Sequence, residues 1–203
     1  MNLLSNCPNG CKSNFKSSGL IVAEGELNEC LICGQLVSSC SKSHYEISNQ
    51  SWNTEEGTWP SKNASLRFMK RKKKDITNLA KLLDKNFSDI HILDVGCSNG
   101  SFVSLADKLG LKSEGVDPSE KAVANGLKKG LKLHVGFLDE VAFPDNSFDA
   151  ITLYEVIEHV ADSTSLLNEC ARILRPKGIL LLGTGNIDSW TRMIKKNKWD
   201  FFD

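Results

Sequence analysis

Five short apolar runs alternate with amphipathic stretches between residues 90 and 183, and this alternation constrains the chain more than any other feature. The expected strands are residues 90–95, 113–117, 131–135, 148–154 and 178–183. Between them, residues 101–109 carry Phe102, Val103, Leu105, Ala106 and Leu109 at helical spacing. Pro118 suits the first turn of a helix running to about residue 129, and residues 163–174 form another, with Pro176-Lys177-Gly178 as its stop. Strand and helix in turn imply parallel strands joined by right-handed crossovers. The fold class is a doubly wound α/β parallel sheet, whose ligand belongs at the carboxyl ends of the central strands.

The first strand delivers Asp94-Val95-Gly96-Cys97-Ser98-Asn99-Gly100. A pyrophosphate site calls for three glycines and bare N–H groups at a helix start. Here Gly96 and Gly100 are the only glycines, and Asp94 would repel a phosphate. A carboxylate at that point suits a cofactor with a cationic end, such as the ammonium and sulfonium of S-adenosylmethionine. Asp117, 23 residues on at the tip of the second strand, stands where an acid accepts two ribose hydroxyls. Gly136-Phe137-Leu138 is the third segment of the set. The competing reading of both acids is helix capping, and an NAD(P) oxidoreductase is disfavoured by Asp94 and the two-glycine loop. Cys97 has no activating neighbour and reads as a small packing residue; Cys170 reads as core.

Seven cysteines divide the chain unevenly. Cys7-Pro-Asn-Gly-Cys11 and Cys30-Leu-Ile-Cys33-Gly34 are two close pairs that can point four thiolates at one tetrahedral ion, with Gly10 and Gly34 permitting the turns. A structural Zn2+ is the expectation, with two disulfides as the competing pattern and Cys40 left over. Residues 1–40 are then a zinc knuckle or ribbon too small to fold on its own core. Residues 41–74 read as a linker with Trp52, Trp59 and Pro60, ending in the basic run Arg67 to Lys74, whose simplest role is a solvated helix face. Residues 75–203 form the large domain, opened by Ile76, Leu79, Leu82 and Leu83 at helical spacing.

With 25 basic and 25 acidic residues the net charge is zero, which removes a protein-wide basic field for nucleic acid. No apolar run approaches the ~20 residues of a membrane helix. The opening residues lack the basic and apolar regions of a signal peptide, so a cytoplasmic location is expected.

The segments His91-Ile-Leu-Asp-Val-Gly-Cys-Ser-Asn-Gly-Ser-Phe102, Gly115-Val-Asp-Pro-Ser-Glu120, Phe148-Asp-Ala-Ile-Thr-Leu-Tyr-Glu-Val-Ile-Glu-His159 and Leu174-Arg-Pro-Lys-Gly-Ile-Leu-Leu-Leu182 resemble the successive motifs of class I S-adenosylmethionine-dependent methyltransferases. Within them the likeness is to small-molecule enzymes of the ubiquinone-biosynthesis and sugar-pathway types. The resemblance implies a Rossmann-like fold in which Asp94, Gly96, Cys97 and Gly100 surround the methionine moiety. It implies that Asp117 holds the ribose beside Pro118, that Phe137 and Leu138 flank the adenine, and that Tyr154 and Glu155 close the site. The chain departs from the usual loop by carrying Ser98 where a glycine is common. The family's sheet has seven strands, so the domain is expected to be C-terminally truncated at Asp203. The cysteine segment resembles zinc-binding additions on some bacterial methyltransferases.

Methyl transfer from a sulfonium mainly demands alignment of the acceptor and exclusion of water. A base is needed only for a weakly acidic acceptor, and Glu158 and His159 are the candidates; bracing the turn after the fourth strand is their other possible task. Trp190 and Trp199 follow the fifth strand, where relatives lead into an acceptor-side lid. The expected activity is methylation of a small-molecule acceptor, a saccharide or a quinone precursor. The alternative is a non-catalytic, zinc-containing partner subunit that binds the cofactor.

Overall fold

In the larger unit, the strands β4 (His91–Val95), β5 (Lys112–Asp117), β6 (Leu133–Val135), β7 (Phe148–Tyr154) and β8 (Leu174–Gly183) form one parallel sheet in the order β6-β5-β4-β7-β8. Asp94 lies beside Gly115 on one neighbour and Thr152 on the other. The chain builds outward from β4 in one direction and then returns to build outward through β7. That reversal leaves a crevice at the carboxyl ends of β4 and β7, the natural ligand position of such sheets. The computed structural model describes residues 7–12, 14–22, 25–38, 53–54, 62–160 and 162–195; Cys40, Trp52, Trp59, Pro60 and Trp199 lie outside them.

Alternation along β4 sorts its side chains between two cores. Leu93 and Val95 join Val116, Ile151, Leu153 and Phe148 against Leu138 of α4 (Leu138–Val141) and Cys170 and Ile173 of α5 (Ser163–Ile173). Ile92 faces the other way, with Ala150, under Ile76, Leu79 and Ala80 of α1 (Lys62–Leu83) and Phe102 and Ala106 of α2 (Ser101–Lys108). Each fully buried Leu or Ile in these cores contributes about 1.5–3 kcal/mol. The period of two puts Asp94, Thr152 and Tyr154 on the α1 side, so the polar ends of β4 and β7 face one helix.

Four details differ from the expectation. The basic run sits inside α1, so regular structure begins upstream of residue 75. The inward stripe of α1 takes Ile76, Leu79 and Leu83 but leaves Leu82 75% exposed, and it buries Lys72. Pro118 precedes the helix α3 (Glu120–Leu127), because Ser119 takes the cap position and accepts from the Ala122 amide. Pro176-Lys177-Gly178 is no helix stop: α5 ends at Ile173 and β8 begins at once. The sheet edge tolerates a proline that cannot donate, and a bulge with Lys177 at φ 66° absorbs it opposite Phe148 and Ala150.

The other unit carries the cysteine segment, an antiparallel sheet of β1 (Phe15–Val22), β2 (Gly25–Cys30) and β3 (Leu36–Ser38) in that order. A bulge between Ser17 and Leu20 uses Gly19 at φ 71°. After β8 comes the short helix α6 (Trp190–Lys195), whose Trp190 is exposed. No helix among the described residues is long and apolar enough to cross a membrane.

Candidate functional site

The loop from Gly96 to Gly100 is lashed to the next strand: the Gly96 and Cys97 amides both donate to the Val116 carbonyl, at 2.9 and 3.1 Å. Gly96 has φ 75°, and a Cβ there would collide with Val156 Cγ2. Gly100 has φ 78°, caps α2, and would bring a Cβ within 2.7 Å of Leu131. Both positions therefore need glycine for conformation and for space. Ser98 adopts φ 50°, the left-handed conformation that glycine usually supplies. Its amide donates to Asp117 Oδ2 at 2.8 Å, a contact that offsets the strain.

Asp94 is 5% exposed and accepts from the Thr152 hydroxyl at 2.6 Å. Burial pushes its carboxyl up to about 7, against the opposing effects of Thr152 and the Lys72 charge. Asp117 accepts from the Ser98 and Ser119 amides, one on each oxygen, both at 2.8 Å. Burial raises its carboxyl and those two amides oppose the rise. Each oxygen keeps a lone pair for a hydroxyl donor. Cys97 is buried, and burial followed by the charges of Asp94 and Asp117 drives its thiol far above the range of a reactive cysteine. It packs so closely over Gly115 that a Cβ there would come within 2.6 Å of Cys97 Cβ.

Pro118 is exposed at the tip of β5. Phe137 stands 41% exposed at the start of α4, where its amide donates to Glu140 at 2.8 Å, whereas Leu138 packs into the core. Tyr154 donates its hydroxyl to Asp75 at 3.1 Å, and the Lys72 ammonium lies on its ring face. Glu155, at φ 55°, turns the chain off β7 and bonds the Gly183 carbonyl through its amide. Burial, then the hydrogen bond and charge of Glu158, push its carboxyl up to about 7. Glu158 and His159 lie in a single turn of 3-10 helix, with the His159 amide donating to Val156. The structure thus gathers Asp94, the glycine loop, Asp117, Tyr154 and Glu155 around the strand ends. Lys72 was missed because it reads as one of six basic residues, although it falls four before Ile76 on the inward stripe.

Cys7, Cys11, Cys30 and Cys33 form a second cluster, their sulfurs all within 4.8 Å of one another. The two knuckles are alike: the Gly10 amide donates to Cys7 and the Gly34 amide to Cys30, each at 2.9 Å, and both glycines have φ 73°. A tetrahedral Zn2+ with thiolates at about 2.3 Å spaces its sulfurs about 3.8 Å apart, which this cluster fits. The Cys7–Cys33 sulfurs are 3.5 Å apart, well beyond a disulfide bond. A hydrogen bond donated to Cys33, and then burial, push the Cys11 thiol up to about 12, whereas the Gln35 amide and Asn9 hold the Cys33 thiol below its ordinary value.

A family profile described as "Methyltransferase domain" matches residues 66–203. The chain is 34% identical over 108 residues to the ubiquinone biosynthesis O-methyltransferase of Parvibaculum lavamentivorans, a match covering 49% of this chain and 42% of that protein. It is 33% identical over 97 residues to a probable S-adenosylmethionine-dependent methyltransferase of Mycolicibacterium smegmatis, covering 47% of this chain and 38% of that one. The matched region thus spans less than half the length of those relatives. Among solved structures, the PH0226 protein of Pyrococcus horikoshii superposes with a TM-score of 0.54 at 21% identity, covering 77% of this chain and 68% of that one. A SAM-dependent methyltransferase of Archaeoglobus fulgidus gives 0.53 at 19% identity, covering 74% and 62%. Those two likenesses concern the fold, which is Rossmann-like. With its sheet order, its acid-and-glycine loop and the profile match over most of its length, the chain belongs to the methyltransferase domain family.

Proposed function

We propose that the sheet unit binds S-adenosylmethionine and transfers its methyl group to a small hydroxylated acceptor, of the kind found among quinone precursors or saccharides. The observation that carries this reading is the buried Asp94 carboxylate, oriented by Thr152 at the mouth of the sheet's crevice. When bound, the donor supplies an electrophilic methyl on a sulfonium whose leaving sulfur is neutral. Asp94 would hold the donor's ammonium, and Gly96 and Gly100 let backbone approach it closely. Asp117 would accept the ribose hydroxyls with its free lone pairs, next to Pro118. Phe137 would offer its ring to the adenine, with Leu138 fixing the helix beneath it. Tyr154 and Glu155 would flank the methyl-bearing end. Glu158 or His159 would take the proton of an acceptor too weakly acidic to lose it unaided. The relatives named ubiquinone biosynthesis O-methyltransferase support oxygen as the methylated atom.

The four-cysteine cluster is proposed as a closed structural Zn2+ site, held by Cys7, Cys11, Cys30 and Cys33 and without catalytic work. Calorimetry with donor, followed by transfer of labelled methyl to a panel of phenols and sugars, tests the activity. Donor binding and label transfer are expected. Saturating donor affinity with no transfer to any acceptor would favour a cofactor-binding subunit, and no affinity at all would end the reading. His159→Ala with unchanged turnover would remove that residue from the chemistry.

A further inference from the structure

Lys72 is 1% exposed although it lies in the most basic stretch of the sequence. Its ammonium lies on the ring of Tyr154 and 4.7 Å from the ring centroid of Phe68, a two-faced aromatic seat for a cation. The groups facing it come from three elements: Arg71 and Asp75 on its own helix, Asp94 on β4, and Tyr154 and Glu155 at the end of β7. Asp94 in turn faces Asp117. The acids hold the lysine's proton, while burial, with Arg71 second, drives its pKa down to about 7.

Resting on the methyltransferase reading, we infer that Lys72 is a tethered cation that contends with the donor's sulfonium for the Tyr154 face, and so sets the preference between cationic donor and neutral-sulfur product. The product keeps the ammonium of the donor but lacks the sulfonium charge. A charged Lys72 therefore repels the donor more than the product. Donor entry is favoured when the lysine gives its proton to solvent, so donor binding releases protons and product binding releases fewer. Protonation of Asp94 or Glu155 also weakens cation binding at low pH, and removal of Lys72 separates its effect from theirs.

The test compares wild type, Lys72→Met and Lys72→Arg by calorimetry with S-adenosylmethionine and S-adenosylhomocysteine, at about pH 6 and about pH 8.5, either side of the lysine's titration. Lys72→Met is expected to raise donor affinity relative to product affinity at least about threefold at the lower pH. Its ratio should also vary less with pH than that of wild type. Lys72→Arg keeps the charge at both pH values and should hold the low-pH ratio of wild type throughout. In buffers of different ionisation heat, wild type should release more protons on binding donor than on binding product. Equal weakening of both ligands by Lys72→Met would make the lysine an ordinary clamp on the donor's carboxylate and overturn the inference, as would affinities that do not change. Should neither ligand bind any of the three proteins, the methyltransferase reading itself fails. A ligand-free check is the side-chain nitrogen resonance of Lys72, which should titrate near neutrality; an ammonium persisting above about pH 9 also overturns the inference.

Discussion

Thr152 reaches across from β7 and donates its hydroxyl to Asp94 of β4 at 2.6 Å, fixing the orientation of a carboxylate buried at the carboxyl end of the sheet. Hydrogen bonds to charged groups are worth about 1.5–3 kcal/mol. Thr152→Val should therefore weaken donor binding about tenfold or more with little change in the sheet, as isothermal calorimetry and circular dichroism would record.

Asp94 is also a cost to the fold. Unfolded, it loses its proton near pH 4; folded, near 7. Between those values the folded state binds more protons, so stability from this group falls as pH rises and is fully present only below about pH 4. Asp94→Asn should lift the penalty, on the order of 4 kcal/mol. Ligand-free variant should melt several degrees above wild type at pH 8, with the gap closing toward pH 5, while its donor affinity drops about a hundredfold.

Ser98 and Gly96 should respond in opposite senses. Ser98→Gly keeps the amide that binds Asp117 and relieves a left-handed serine, so stability should gain up to about 1 kcal/mol with donor affinity preserved. Gly96→Ala places a methyl against Val156 at a positive φ and should lose about 2–4 kcal/mol in denaturant titration.

At the opposite end of β7, burial would raise the Asp149 carboxyl, but Lys85, the His91 amide and Arg175 together hold it below the usual carboxylate range. Its stabilising contribution is present above about pH 4 and is lost as pH falls through the folded value. Asp149→Ala strands two cations and an amide, and should destabilise the sheet unit by about 3 kcal/mol at pH 7, less in acid.

Cys30→Ser removes a buried thiol of the four-sulfur cluster. Elemental analysis should give about one Zn2+ per wild-type chain and none for the variant. Amides of β2 should exchange much faster in the variant, or after chelation, while those of β4 are unaffected.

Much of this was legible because it depends on period and spacing. The strands at β4 and β7, the acid closing β4 and the paired cysteine knuckles are all local patterns. Pro176, Lys177 and Gly178 signal a helix stop in isolation; only the position of β8 at the sheet edge makes them a bulge. Lys72 is hidden by composition, since burial of one cation among six is decided by Phe68 and Tyr154, residues distant or unremarkable in sequence. Glu114 escaped notice altogether. It receives His91, His134 and Lys132 at 2.7–2.8 Å from two separate segments of the chain, and only sheet register brings them together.

Cys97, in the loop after β4, and Gly115 of β5 occupy one packing volume. Their tolerance to change is therefore a property of the pair: a methyl at 115 should become acceptable only once the whole Cys97 side chain, Cβ included, is gone and Leu133 gives way. Divergent members of this lineage would be expected to exchange bulk between the two positions, so that a double substitution is viable where its single steps are not.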